Sequence, residues 1–135
     1  MFARRTALRP IVLLLAAALV AGCGTAPTSP GVQPEIVNTS DHFSYQVTGI
    51  RNYSAALTYS WQNGGTQATL DQSCSVGSGS ATLVVLDAAG TQVYSRSLAD
   101  NGTFTTASGV SGTWTIRVVY SEASATVNFR AAKTT

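Results

Sequence analysis

From Glu35 onward, apolar and polar residues alternate with a period of two. Phe43, Tyr45 and Val47 alternate with Ser44, Gln46 and Thr48, and Leu57, Tyr59 and Trp61 with Thr58, Ser60 and Gln62. The same holds for Trp114, Ile116, Val118 and Tyr120, and again for Ala125, Val127 and Phe129. Successive side chains of a strand point to opposite faces, so this is the signature of strands buried on one face. Ala68, Leu70, Gln72, Cys74 and Val76 share one parity, which predicts one strand with Cys74 turned inward. Leu83-Val84-Val85-Leu86 is apolar on both parities and predicts a strand covered on both faces. No stretch after Glu35 carries a convincing helical period.

Turn signals separate these runs. They are Asn63-Gly64-Gly65, Asp87-Ala88-Ala89-Gly90, Asn101-Gly102 and Ser111-Gly112. The second reads as a type I turn closed by a left-handed glycine. Glu122 reads as the tip of a hairpin joining the Trp114 and Ala125 runs. About eight short strands with regular turns predict an all-β, antiparallel sandwich or barrel.

Residues 1–34 follow another pattern. Arg4, Arg5 and Arg9 precede Ile11 to Ala21, an uncharged apolar run of eleven residues. About 20 apolar residues are needed to cross a bilayer. A cationic start before a short apolar run is the layout of a secretory signal. A buried core helix is the competing reading, but it would need a polar face that this run lacks. Arg4-Arg5 fits a twin-arginine pattern only in part, which favours the general secretion route. Residues 24–34 contain Pro27, Pro30 and Pro34 and no charge, the composition of a flexible tether. Fully extended, such a tether reaches at most about 35–40 Å. The expected organisation is a signal peptide at 1–22, Cys23 with a Pro/Gly/Ser/Thr tether at 23–34, and one β-domain at 35–135.

Val20-Ala21-Gly22-Cys23 resembles the lipobox of bacterial lipoproteins, an aliphatic residue and two small ones before a cysteine. The resemblance implies a diacylglyceryl group on the Cys23 sulfur, cleavage before Cys23 and acylation of the new amino terminus. Ordinary signal cleavage, with Cys23 as an incidental thiol, is the alternative. One acyl chain binds a membrane only marginally, and stable anchoring takes two signals, so two or three chains would hold the protein permanently. Gly24 stands where aspartate would favour inner-membrane retention, and the resemblance therefore implies the outer membrane where the source has one.

Cleavage before Cys23 changes the charge. Three of the eight basic residues leave with the leader, so 113 residues remain with five basic and six acidic side chains, a formal charge of −1. That balance offers no basic patch for nucleic acid. It would also leave Cys74 without a partner in the chain, either buried and inert or pairing between molecules.

Candidate chemistry is sparse. His42 is the one histidine, and its neighbour Asp41 points to the other face of a strand, so the pair does not form the oriented base of a catalytic triad. Zinc needs three or four ligands that this composition does not supply. Asp41, Asp71, Asp87, Asp100 and Glu122 are scattered, mostly at turns, so paired-carboxylate hydrolysis of a glycan is an alternative rather than the main expectation. Gly77-Ser78-Gly79 lacks the lysine and helix of a phosphate loop. Trp61 and Trp114 could stack on sugars, but they run in phase with core residues. Asn38, Asn52 and Asn101 head glycosylation sequons, a reading that seldom applies beside a bacterial lipobox.

Ala81 to Gly90, Gly112 to Val118 and Ala125 to Phe129 resemble the C-terminal part of bacterial pre-peptidase C-terminal-type domains. The resemblance spans Ser80 to Ala131, about half of the expected domain. It implies a jelly-roll-like β-sandwich acting as an accessory or adhesive module. Some relatives bind calcium through clustered acids, and this chain has no such cluster. The expected function is a lipid-anchored, non-catalytic binding or structural module of the cell envelope, without cofactor. It would be attached to the membrane through Cys23 and facing a protein or glycan ligand. Its contacts are expected on exposed loops, at Asn63 and Gly64, at Asp100 and Asn101, and at Glu122. Assembly through a free strand edge is a further alternative.

Overall fold

The computed structural model describes residues 32–135. The expected leader, Cys23 and most of the tether lie outside the described residues. Seven strands and no helix make up 73% of what is described, so the class is all-β. The strands are β1 (Glu35–Thr39), β2 (His42–Asn63), β3 (Ala68–Gln72), β4 (Ser75–Leu86), β5 (Gln92–Ser97), β6 (Gly102–Thr105) and β7 (Gly112–Lys133). All pairings are antiparallel and join the strands into one sheet. Val32, which composition places in the tether, packs against the core.

Two strands replace four expected ones. β2 and β7 each run 22 residues and pair with one another from His42↔Ala132 to Asn63↔Gly112. The Phe43 and Leu57 runs are therefore two halves of β2. The Trp114 and Ala125 runs are two halves of β7, so Glu122 is not a hairpin tip. Both strands bend midway instead. In β2 the register shifts between Val47/Ile50, Ile50/Tyr53 and Tyr53/Ala55. In β7 the buried parity passes from Tyr120 to Ala123. Bulges absorb an extra residue and bend a strand without ending its pairing, whereas alternation alone reads each phase break as a loop. Asn52 (φ 43°) and Glu122 (φ 46°) take the left-handed conformation at the two bends. Each is held by a serine of the opposite strand: the Asn52 N–H donates to the Ser124 hydroxyl at 3.1 Å, and the Glu122 N–H to the Ser54 hydroxyl at 2.8 Å.

The bends divide the sheet into two halves. One contains β1, the first half of β2, the second half of β7, β3 and β6; the other contains the second half of β2, the first half of β7, β4 and β5. Their inner side chains meet in one apolar core. Tyr45 stacks on Phe129 with ring centroids 5.0 Å apart and meets Tyr59, from the other half of β2, edge-on at 5.9 Å. Trp61 and Trp114 are buried as their phase predicts, and their indole N–H groups donate to the carbonyls of Thr39 and Val110. Two sequence expectations change. Leu83 and Val85 are buried but Val84 and Leu86 only half-buried, so β4 is covered on one face rather than two. β3 ends at Gln72, and Cys74 lies in the link to β4, although its side chain does turn inward and is buried and free.

The hydroxyls of Tyr45 and Tyr120 lie 2.7 Å apart inside the core, bridging the two halves. Tyr45→Phe orphans the Tyr120 hydroxyl, and an unsatisfied buried hydroxyl costs about 1–3 kcal/mol. Adding Tyr120→Phe removes the orphan. Urea denaturation is therefore expected to show the double variant more stable than Tyr45→Phe alone. Additive losses would mean that the pair is not coupled.

Candidate functional site

Both ends of β2 and β7 converge at one pole. There the Asp41 N–H donates to the Gln62 carbonyl at 2.8 Å and the Lys133 N–H to the Asp41 carbonyl at 3.0 Å. Asp41 is itself left-handed (φ 66°). Its carboxylate accepts the Gly64 N–H at 2.7 Å and lies 3.3 Å from the Lys133 ammonium. The Gly64 amide, with lesser help from Lys133, holds this carboxyl below its usual range. Ser40, Asp41, Gln62, Asn63, Gly64, Ser111 and Gly112 line a hollow of about 370 Å³ here.

Of the expected contact residues, Gly64 is exposed at this pole and Asn63 is not. Asn63 is only 1% exposed, and its side chain works within the turn, accepting the Gly65 N–H and donating to the Gln67 carbonyl. Asp100 and Asn101 belong to a different neighbourhood, the β5–β6 turn. Asp100 lies 3.5 Å from Arg96, whose guanidinium covers the Phe104 ring at 3.9 Å. The Asn101 amide serves as a ladder partner for Cys74, accepting its N–H at 2.7 Å and donating to its carbonyl at 3.0 Å. The Cys74 thiol exchanges 3.3 Å hydrogen bonds with the Asn128 backbone, and burial pushes its pKa up, which favours the unreactive thiol form. Glu122 stands at the opposite pole, on the bend of β7. Among the described residues, no hydrogen bond joins these three groups. His42 is exposed at the start of β2.

Asp87 closes the β4–β5 turn, where Gly90 is left-handed (φ 82°) as its place in the turn predicts. One carboxylate oxygen accepts the Ala89 and Thr91 N–H groups and the other accepts the Val110 N–H at 2.9 Å. These donors, Val110 first, hold its carboxyl below the usual range. Asp41 and Asp87 thus stabilise the fold above their unfolded pKa, and that contribution is lost as pH falls through their lowered values. Tyr94 has the opposite sign. Burial pushes it up to about 12, and Tyr45 and Tyr120 are raised for the same first reason. Their stabilisation is complete below the unfolded tyrosine pKa of about 10 and falls above it. Thermal melts are expected to plateau between these limbs. Asp87→Asn is expected to flatten the acid limb and lower the plateau, because an amide presents N–H where a backbone N–H needs an acceptor.

The second pole, at the bends, was not legible as a site. Arg51 and Asn52 of β2, Ser75 and Gly77 of β4, and Ser124 and Thr126 of β7 border a hollow of about 470 Å³ on its outer side. The one sequence trace of it is the loss of alternation at Gly49 and at Ser121–Glu122. Among the described residues, no group of three or more His, Cys, Asp or Glu side chains is placed to hold a metal, and no helix is long and apolar enough to cross a membrane. No family model and no curated protein matches the chain.

Proposed function

We propose that this chain is a lipid-anchored, non-catalytic module of a bacterial cell envelope, held through acyl chains on Cys23 and binding a protein or glycan. The observation that carries the reading is the cationic start and short apolar run closing on Val20-Ala21-Gly22-Cys23. The two half-sheets with a shared core suit a jelly-roll-like sandwich, related in architecture to the pre-peptidase C-terminal-type domains that Ser80 to Ala131 resembles. The use of acidic side chains favours binding over hydrolysis: both Asp87 oxygens and one Asp41 oxygen accept backbone N–H groups, and the other Asp41 oxygen faces Lys133. Gly24 favours the outer membrane where one exists.

Glycan and protein arrays probed with the chain from residue 23, carrying Cys23→Ser, test the binding role. Retention of one chemical class supports it. Silence on both arrays would leave a structural role, and release of sugar from any retained glycan would replace the module with an enzyme.

A further inference from the structure

The hollow at the bends has a structural origin. Three neighbouring strands lose their ladder at one level: β2 against β7 between Val47/Ile50 and Ile50/Tyr53, and β4 against β7 between Val76/Ser78 and Ser78/Ser80. Two of the bordering residues have no side chain. A Cβ at Gly49 would meet nothing within 4 Å, and one at Gly77 only the Ser124 carbonyl at 3.5 Å. The space is therefore open rather than filled, and its size suits a small ligand group.

Its chemistry is one-sided. Arg51 is exposed and forms no ion pair among the described residues, where the two pairs are Arg96–Asp100 and Lys133–Asp41. The Ser124 hydroxyl accepts the Asn52 N–H, which leaves its own proton to donate. Ser75 and Thr126 stand opposite one another in register, and neither hydroxyl has a protein partner among the described residues. No carboxylate borders the space. Glu35 lines a separate hollow, and Glu122 contributes its backbone to the bend. A cation would find no carboxylate here, and the two larger apolar side chains on the border, Ile50 and Ala125, are buried. A guanidinium fork with neighbouring hydroxyl donors matches an oxyanion.

The position adds a second argument. Glu35 of β1 pairs with Gln46, next to the β2 bend, so the chain enters the domain at this pole. On the lipoprotein reading, the tether holds this pole within about 35–40 Å of the bilayer.

We propose that the bend hollow binds an oxyanion, a phosphate or carboxylate group, with Arg51 as its charge and the hydroxyls of Ser75, Ser124 and Thr126 as its neutral donors. This deepens the binding-module reading and rests on it for the ligand's source, which is a membrane headgroup or a soluble phosphate.

Amide NMR of the full chain in uncharged maltoside micelles tests it, with inorganic phosphate, acetate and neutral galactose as probes. Phosphate or acetate is expected to move the amides of 49–52, 75–77 and 124–126. Arg51→Gln, an exposed change that keeps the fold, is expected to weaken binding at least tenfold, about 1.4 kcal/mol. Thr126→Val is expected to weaken it less. Shifts scattered over the surface, shifts unchanged by Arg51→Gln, or equal shifts with galactose would overturn the proposal. Flotation with phosphatidylglycerol vesicles, using the chain from residue 23 carrying Cys23→Ser, separates the sources: Arg51-dependent flotation identifies a headgroup, and phosphate binding without flotation identifies a soluble anion. An array ligand retained undiminished by Arg51→Gln would keep the module and sink this site.

Discussion

Gly79→Ala is expected to destabilise the domain by about 2–5 kcal/mol, a large share of the 5–15 kcal/mol that holds a typical domain together. Two costs add. Gly79 is left-handed (φ 67°), a conformation that charges an L-residue about 1–2 kcal/mol. A Cβ there would also run into the Ser121 carbonyl and the Glu122 carbonyl of β7, backbone that cannot step aside. Overpacking of this kind costs about 1–3 kcal/mol. The chain supplies its own control. Gly90 is left-handed too (φ 82°), but a Cβ there would meet nothing within 4 Å. Gly90→Ala is therefore expected to cost the conformational part alone. At about 4–8 °C per kcal/mol for a domain of this size, thermal melts should place the two variants well apart, with Gly79→Ala about 10 °C or more below the parent. Equal melting temperatures would show that the close approach of β4 to the bend of β7 is not made.

The pattern of losses follows from what alternation encodes. Phe43, Tyr45, Trp61, Trp114 and Phe129 were legible as core because a strand buried on one face shows it in every second residue. The Asp87 turn was legible because most of its chemistry is local: the acceptor, the Ala89 and Thr91 donors and Gly90 lie within five residues, and only the Val110 donor is remote. The bends were not legible, because a bulge flips parity and looks like a loop. What keeps the strand going is also remote in sequence, Ser124 serving Asn52 and Ser54 serving Glu122. Asn63 and Asn101 misled for a related reason. Asparagine at a turn reads as exposed and available, yet both amides are used inside the fold, one within its own turn and one on the Cys74 backbone. The hollow beside Arg51 takes residues from three strands, and no single stretch announces it.

Cys23→Ser is expected to abolish lipid attachment altogether. A serine oxygen does not take the diacylglyceryl group that the lipobox resemblance assigns to the sulfur, and cleavage before residue 23 in that pathway follows lipid addition. Each buried methylene contributes about 0.8 kcal/mol, so two or more acyl chains make attachment essentially permanent, whereas the Cys23→Ser chain keeps its uncleaved leader in place of the lipid. Parent protein grown with labelled palmitate should carry the label, partition into detergent and show an intact mass that begins at Cys23 with added hydrocarbon. The Cys23→Ser protein should carry no label. Cys74→Ser separates the two thiols: it should stay fully labelled, since Cys74 is buried and hydrogen-bonded inside the domain. Equal labelling of the Cys23→Ser chain, or a mature mass without hydrocarbon, would remove the anchor. The bend pole would then have no reason to lie near a bilayer, and an oxyanion bound beside Arg51 would have to come from solution.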